Sequence, residues 1–145
     1  MKKMFETIVI LSFMVIGVIC VSACSDKLDV QQVYEFDLAT LPVQTEVVMG
    51  EEAEIRCQLV RSGEYRDTRY FIRMFQTDGK GQLRLDDGTV LLPNDLYPLE
   101  KETFRLYYKS LSTDQQTIDI YIIDSHGQMV QKSFSFNNEK KEETE

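Results

Sequence analysis

A chain of 145 residues with a formal net charge of −8 is acidic, a balance that argues against a general nucleic-acid binder, which needs a basic footprint. One histidine and three cysteines supply too few soft ligands for a structural zinc site, and no acidic spacing matches a calcium loop. Neither a metal nor a cofactor is expected.

The first element is a signal. Lys2 and Lys3 precede an apolar run over residues 8–21, interrupted only by Ser12 and Gly17. The run is too short for the roughly 20 residues that span a bilayer as a helix, and it has the length and flanks of a secretory h-region. It ends in Val21-Ser22-Ala23-Cys24, small residues before a cysteine, followed at once by the charged Ser25-Asp26-Lys27. That order predicts cleavage after residue 23 and lipidation of Cys24, with acyl chains anchoring the product stably. Residues 1–23 are then the signal peptide, 24–32 a polar tether, 33–137 the folded domain and 138–145 a disordered charged tail. The signal carries Lys2, Lys3 and Glu6, a net +1, so its removal takes the chain from −8 to −9. Cys57 is left without a disulfide partner, and stability must come from packing.

Strands follow in series. Ile55, Cys57 and Leu59 alternate with polar neighbours, the period of a half-buried strand. Residues 70–75 are apolar on both faces apart from Arg73, which predicts a central strand. Residues 83–85 and 90–92 flank Asp86-Asp87-Gly88-Thr89, a hairpin signal. Phe104, Leu106 and Tyr108 alternate again, then Ile118, Ile120 and Ile122, then Phe134 and Phe136. Turn residues separate these runs at Gly50, Ser62-Gly63, Asp78-Gly79, Pro93-Asn94-Asp95 and His126-Gly127. No stretch after the signal keeps a 3.6-residue apolar repeat. The pattern predicts an all-β chain, an immunoglobulin-like β-sandwich of about six to eight strands. Cys57 faces inward where antibody domains place half of their disulfide, and apolar packing replaces the pair.

Candidate chemistry is sparse. Asp124, Ser125 and His126 share one turn, and a hydrolase triad needs its members to converge from separate parts of a fold. Cys57 lacks a nearby base and the exposure a nucleophile needs. The chain is therefore expected to be no enzyme. The residues that stand out lie between Arg61 and Arg84, where six cations outnumber Glu64, Asp67 and Asp78 for a local +3 in an acidic chain. Tyr65, Tyr70, Phe71 and Phe75 interleave with them. Arg66, Arg69 and Arg73 are the candidate partner-binding residues. The alternative is a solvated arginine face behind core aromatics. An acidic protein is the expected partner, not nucleic acid.

The runs Asp67-Thr68-Arg69-Tyr70, Phe75-Gln76, Asp78-Gly79-Lys80-Gly81 and Asp86-Asp87-Gly88-Thr89-Val90 belong to a wider pattern. With Pro93-Asn94-Asp95, Tyr97-Pro98-Leu99, Phe104-Arg105-Leu106-Tyr107-Tyr108 and Asp114-Gln115-Gln116-Thr117-Ile118-Asp119, they resemble the TraQ-type lipoproteins of Bacteroides conjugative transposons. The resemblance covers most of the chain after the signal. It implies an immunoglobulin-like fold and an envelope-located accessory of DNA transfer, and it carries over no site residue. The expected partners are the membrane, through the N-terminal lipid, and protein components of a conjugation machinery. The expected state is a monomer, on the outer rather than the inner membrane. A surface ligand- or glycan-binding lipoprotein is the alternative, though such modules often present a tryptophan platform and this chain has none.

Overall fold

Alternation in the sequence becomes alternation in burial. In a computed structural model of the protein, which describes residues 1–4, 6, 33–64 and 66–138, ten strands follow one another. They are β1 (Phe36–Thr40), β2 (Glu46–Val47), β3 (Glu52–Arg61), β4 (Tyr70–Asp78) and β5 (Gly81–Leu85), then β6 (Val90–Leu91), β7 (Tyr97–Leu99), β8 (Thr103–Ser110), β9 (Gln116–Asp124) and β10 (Met129–Asn138). Residues 1–31 form a separate unit, of which residues 2–4 are helical. The apolar signal run, Cys24, the tether, the tail beyond Asn138 and Tyr65 lie outside the described residues.

Two five-stranded sheets form the domain. The first has the order β1-β3-β8-β5-β6 and the second β2-β10-β9-β4-β7. The count exceeds the expected six to eight because it includes β2 and β7, which hold only two and three residues. Strands that short carry no readable period, and their neighbours define them. The chain pairs β1 with β3, leaves that sheet at Leu41, and re-enters the other as β2, parallel to the end of β10. A first strand divided between the two sheets is the immunoglobulin-like arrangement.

Between the sheets lies one core. Ile118, Ile120 and Ile122 of β9 are fully buried, each worth about 1.5–3 kcal/mol of burial. Ile55 and Leu106 face them from the first sheet's inner side, and Cys57 is buried with them. Burial pushes the Cys57 thiol up to about 12, so it stays protonated. Tyr108 stacks on Phe136 with centroids 4.7 Å apart. Its hydroxyl donates to Gln116 Oε1 at 2.8 Å, and Gln116 Nε2 donates to Ser110 Oγ at 2.7 Å. These buried polar groups are satisfied, which their burial requires. Gly81 is needed beside them, because a Cβ there would sit 2.1 Å from the Tyr108 hydroxyl oxygen.

β4 lies inside its sheet, paired with β9 on one side and with the short edge strand β7 on the other, as its two-sided apolar pattern predicts. One of its faces meets the core; on the other, Phe71, Arg73 and Phe75 are half-buried with no second layer over them among the described residues.

Candidate functional site: the outer face of the second sheet

The site is built by period-2 alternation in two neighbouring strands. β4 buries Tyr70, Ile72 and Met74 and turns Phe71, Arg73 and Phe75 outward. β9 buries Ile118, Ile120 and Ile122 and turns Asp119, Tyr121 and Ile123 outward. The register sets Phe71 opposite Ile123, Arg73 opposite Tyr121 and Phe75 opposite Asp119. Met129, opposite Ile123 on β10, widens the apolar area and is exposed.

Arg73 occupies the centre of this face. Its guanidinium carbon lies 5.5 Å from the Phe75 centroid and 5.6 Å from that of Tyr121, within cation–π range of both rings. The rings meet edge to face, with centroids 5.6 Å apart. Arg73 Nε is buried and has no hydrogen-bond partner. Asp119, the nearest acid in the register, accepts from Ser133 Oγ and makes no ion pair with Arg73.

Arg69 extends the ladder past the end of β4. Its amide donates to Ser125 Oγ at 3.1 Å, and its carbonyl accepts from the Ser125 amide at 2.8 Å. That pairing continues the β4–β9 register, so Arg69, Phe71, Arg73 and Phe75 occupy alternate positions on one line. Arg66 is exposed in the turn before it and lies outside the line. Arg69 and Phe71 also border a groove of 590 Å³ at the sandwich end, with Pro98 and Leu99 on its other side.

Ion pairing separates the arginines into two sets. Arg61 pairs with Glu102, Arg84 with Glu52 at 2.7 Å, and Arg56 and Arg105 with Glu54 at 3.3 and 3.2 Å. Among the described residues, no carboxylate lies within 4.0 Å of Arg66, Arg69 or Arg73, by contrast. These are the three chosen from the sequence. Tyr121 and Ile123 were not chosen. Their signal was present, since they alternate with the buried isoleucines at the same period as Phe71 and Phe75.

The other candidate constellations have structural duties. Asp124 Oδ1 accepts from the amides of His126 and Gln128 at 3.0 and 2.7 Å, which holds the β9–β10 turn. His126 Nε2 lies 3.2 Å from Thr68 Oγ1. Among the described residues, no group of three or more His, Cys, Asp or Glu side chains could hold a metal ion. Nor is any helix there long and apolar enough to cross a membrane.

Known proteins match this chain along nearly its whole length. A family model described as the TraQ conjugal transfer protein matches residues 7–139. The chain belongs to that family. It is similar to the solution structure of a lipoprotein from Bacteroides thetaiotaomicron, at 59% identity over 83% of this chain and 92% of that one, TM-score 0.68. A conjugative transposon lipoprotein from Bacteroides eggerthii matches at 40% identity over 73% of this chain and all of its own length, TM-score 0.69. A conjugate transposon protein from Bacteroides vulgatus matches at 45% over 83% and 97%, TM-score 0.65. No curated protein matches the chain.

Proposed function

We propose that this chain is a non-enzymatic, lipid-anchored module of a conjugative DNA-transfer apparatus, and that it docks an acidic protein partner on the outer face of its second sheet. Family membership supports the association with conjugal transfer. Two similar solved proteins are named lipoproteins, which supports reading Cys24 as the acylated residue. The outer membrane is the proposed site of the anchor.

One observation carries the docking role. Among the described residues, Arg66, Arg69 and Arg73 lack carboxylate partners, Arg69 and Arg73 on the aromatic line and Arg66 in the turn before it, while each of the other arginines contacts a glutamate. An unpaired guanidinium clamped between rings is already oriented, so a partner carboxylate gains a bidentate bond at low ordering cost. Aromatic and arginine side chains are also the residue types that dominate protein interfaces. A glycan platform fits less well, because the Phe75 and Tyr121 rings stand edge to face with Arg73 beside both. Catalysis is unsupported, with Asp124 committed to its turn and Cys57 buried and protonated.

Two experiments test the proposal. Metabolic labelling with a palmitate analogue should mark the protein and fail on Cys24→Ser; label retained by that variant refutes the anchor. Reversing Arg66, Arg69 and Arg73 to glutamate should leave folding intact and reduce conjugation. Normal transfer by a folded triple variant refutes the docking face.

A further inference from the structure

A second surface lies on the edge of the same sheet and uses different chemistry. β10 pairs along its length with β9, while its other side meets β2 only at Asn137 and Asn138. The hydrogen-bonding phase can be read from the ends of the strand. The Asp124 amide donates to the Gln128 carbonyl at 3.0 Å, so even-numbered residues of β10 bond to β9. At the other end the Asn137 amide donates to the Thr45 carbonyl at 2.7 Å, so odd-numbered residues point away from β9. Met129, Gln131, Ser133 and Ser135 therefore direct their amides and carbonyls to an edge to which no described strand is hydrogen-bonded, with β1 packed near it through Asp37 and Lys132. The open row spans about 20 Å at the usual strand rise. Its cause is the divided first strand, because β1 follows β3 in the other sheet and crosses to β10 only after Pro42.

We propose that this edge accepts an extended segment of a partner polypeptide as an added strand, with apolar side chains on either side of a central carboxylate that shares Lys132 with the largely exposed Asp37. A row of alternating donors and acceptors at strand spacing is matched by another extended backbone. The side chains set the rest of the chemistry. Val130 and Phe134 are half-buried against the core, and a groove of 420 Å³ runs beside the strand between Phe134, Phe136, Leu41 and Val43. Between Val130 and Phe134 stands Lys132, its Nζ 3.6 Å from the Asp37 carboxylate on a half-exposed side chain. An inward-pointing lysine at an open edge disfavours indiscriminate pairing. It admits a strand that carries a counter-charge at that position. A second copy of this chain fits poorly, because β10 contains no acidic residue to meet Lys132 and each copy carries a net charge of −8.

The test uses the full chain in detergent micelles and a blocked probe peptide, Thr-Val-Thr-Glu-Thr-Val-Thr, followed by NMR. The expected result is saturable shifts and slowed amide exchange at Met129, Gln131, Ser133 and Ser135. Gln131→Pro removes one outward amide and spares the ladder to β9, and it should weaken the peptide about tenfold, the cost of one unmade bond to a desolvated carbonyl. Should that variant lose its native spectrum, N-methylating alternate amides of the peptide provides the same comparison on the unaltered protein, and binding should vanish. The reversal of Arg66, Arg69 and Arg73 should leave peptide binding unchanged, so this edge and the docking face fail separately. Equal binding of the N-methylated peptide overturns the proposal, as does the absence of saturable shifts. Edge amides already protected in the free chain, or self-association that blocks the peptide, also overturn it, since another occupant then holds the edge.

Discussion

The two outer faces of the sandwich solve the same problem in opposite ways. On the first sheet, Glu54 lies between Arg56 and Arg105 and bridges a pair of like charges that the register sets directly opposite, offsetting one of the two. Beside them, Glu52 accepts both nitrogens of Arg84, whose guanidinium lies 4.2 Å from the Tyr107 ring centroid. The hydrogen bond from Arg84 holds the Glu52 carboxyl below its usual range. Each guanidinium of that face therefore has a carboxylate in contact. On the second sheet, Arg73 has two rings and, among the described residues, no carboxylate, and Phe71, Ile123 and Met129 lie around it. Similar residue types, arginine beside aromatic, yield a closed surface on one side and an open valence on the other. Position along the register decides which, because each arginine of the first face has a glutamate within reach.

The contrast can be broken from the inside. Cys57 lies beneath both faces, and Cys57→Asp should cost at least about 3 kcal/mol by burying an unpaired polar group. Denaturant titration should show that loss, and both faces should disappear together. The unaltered thiol also gives a pH signature. Its folded value of about 12 lies above the 9.0 of a free thiol, so its contribution is complete below pH 9 and lost as pH rises from there toward 12. A melting midpoint that falls only on the acid side would contradict this assignment.

Next in size is the triple reversal of Arg66, Arg69 and Arg73 to glutamate. Opposed like charges cost several kcal/mol and 1.4 kcal/mol is a factor of ten, so partner affinity should drop roughly hundredfold with the fold intact. Reversing Arg56, Arg84 and Arg105 instead should disturb stability and leave transfer unchanged. Equal effects on transfer from the two sets would erase the distinction between the faces.

A smaller effect is expected for Phe75→Ala. Cross-strand aromatic pairs contribute about 0.2–1 kcal/mol, so the thermal midpoint should move little while conjugation frequency falls measurably. The smallest is Glu52→Gln on the first face. Exposed ion pairs are worth little, and the variant should transfer normally. Because the folded Glu52 carboxyl is depressed, whatever stability it supplies is present at neutral pH and fades as pH falls through that lowered value, which an acid titration of the variant against the parent measures.

Much of this was legible before folding. β3, β8 and β9 were read from strict alternation, and the same residues are buried. The hairpin around Asp87-Gly88 formed as read, with Gly88 at φ +92° and the Leu85 amide donating to the Thr89 carbonyl. The two-sided apolar run in β4 predicts a central strand, and β4 does lie inside its sheet between β9 and β7. Local pattern records that both faces are apolar but not what covers the second one. Arg66, Arg69 and Arg73 emerged from a local charge count, which could not show that Arg61 and Arg84, counted with them, find glutamates more than 30 residues away.

The chain's own order of residues determined the strand periods, the turns and the absence of a second core cysteine, because each depends on neighbours close in sequence. Only the tertiary structure decided which arginines meet a glutamate and, among the described residues, which aromatic face has no strand over it and which edge has none hydrogen-bonded to it. Those outcomes depend on register between strands distant along the chain, and a shift of one residue would exchange every inward side chain for an outward one.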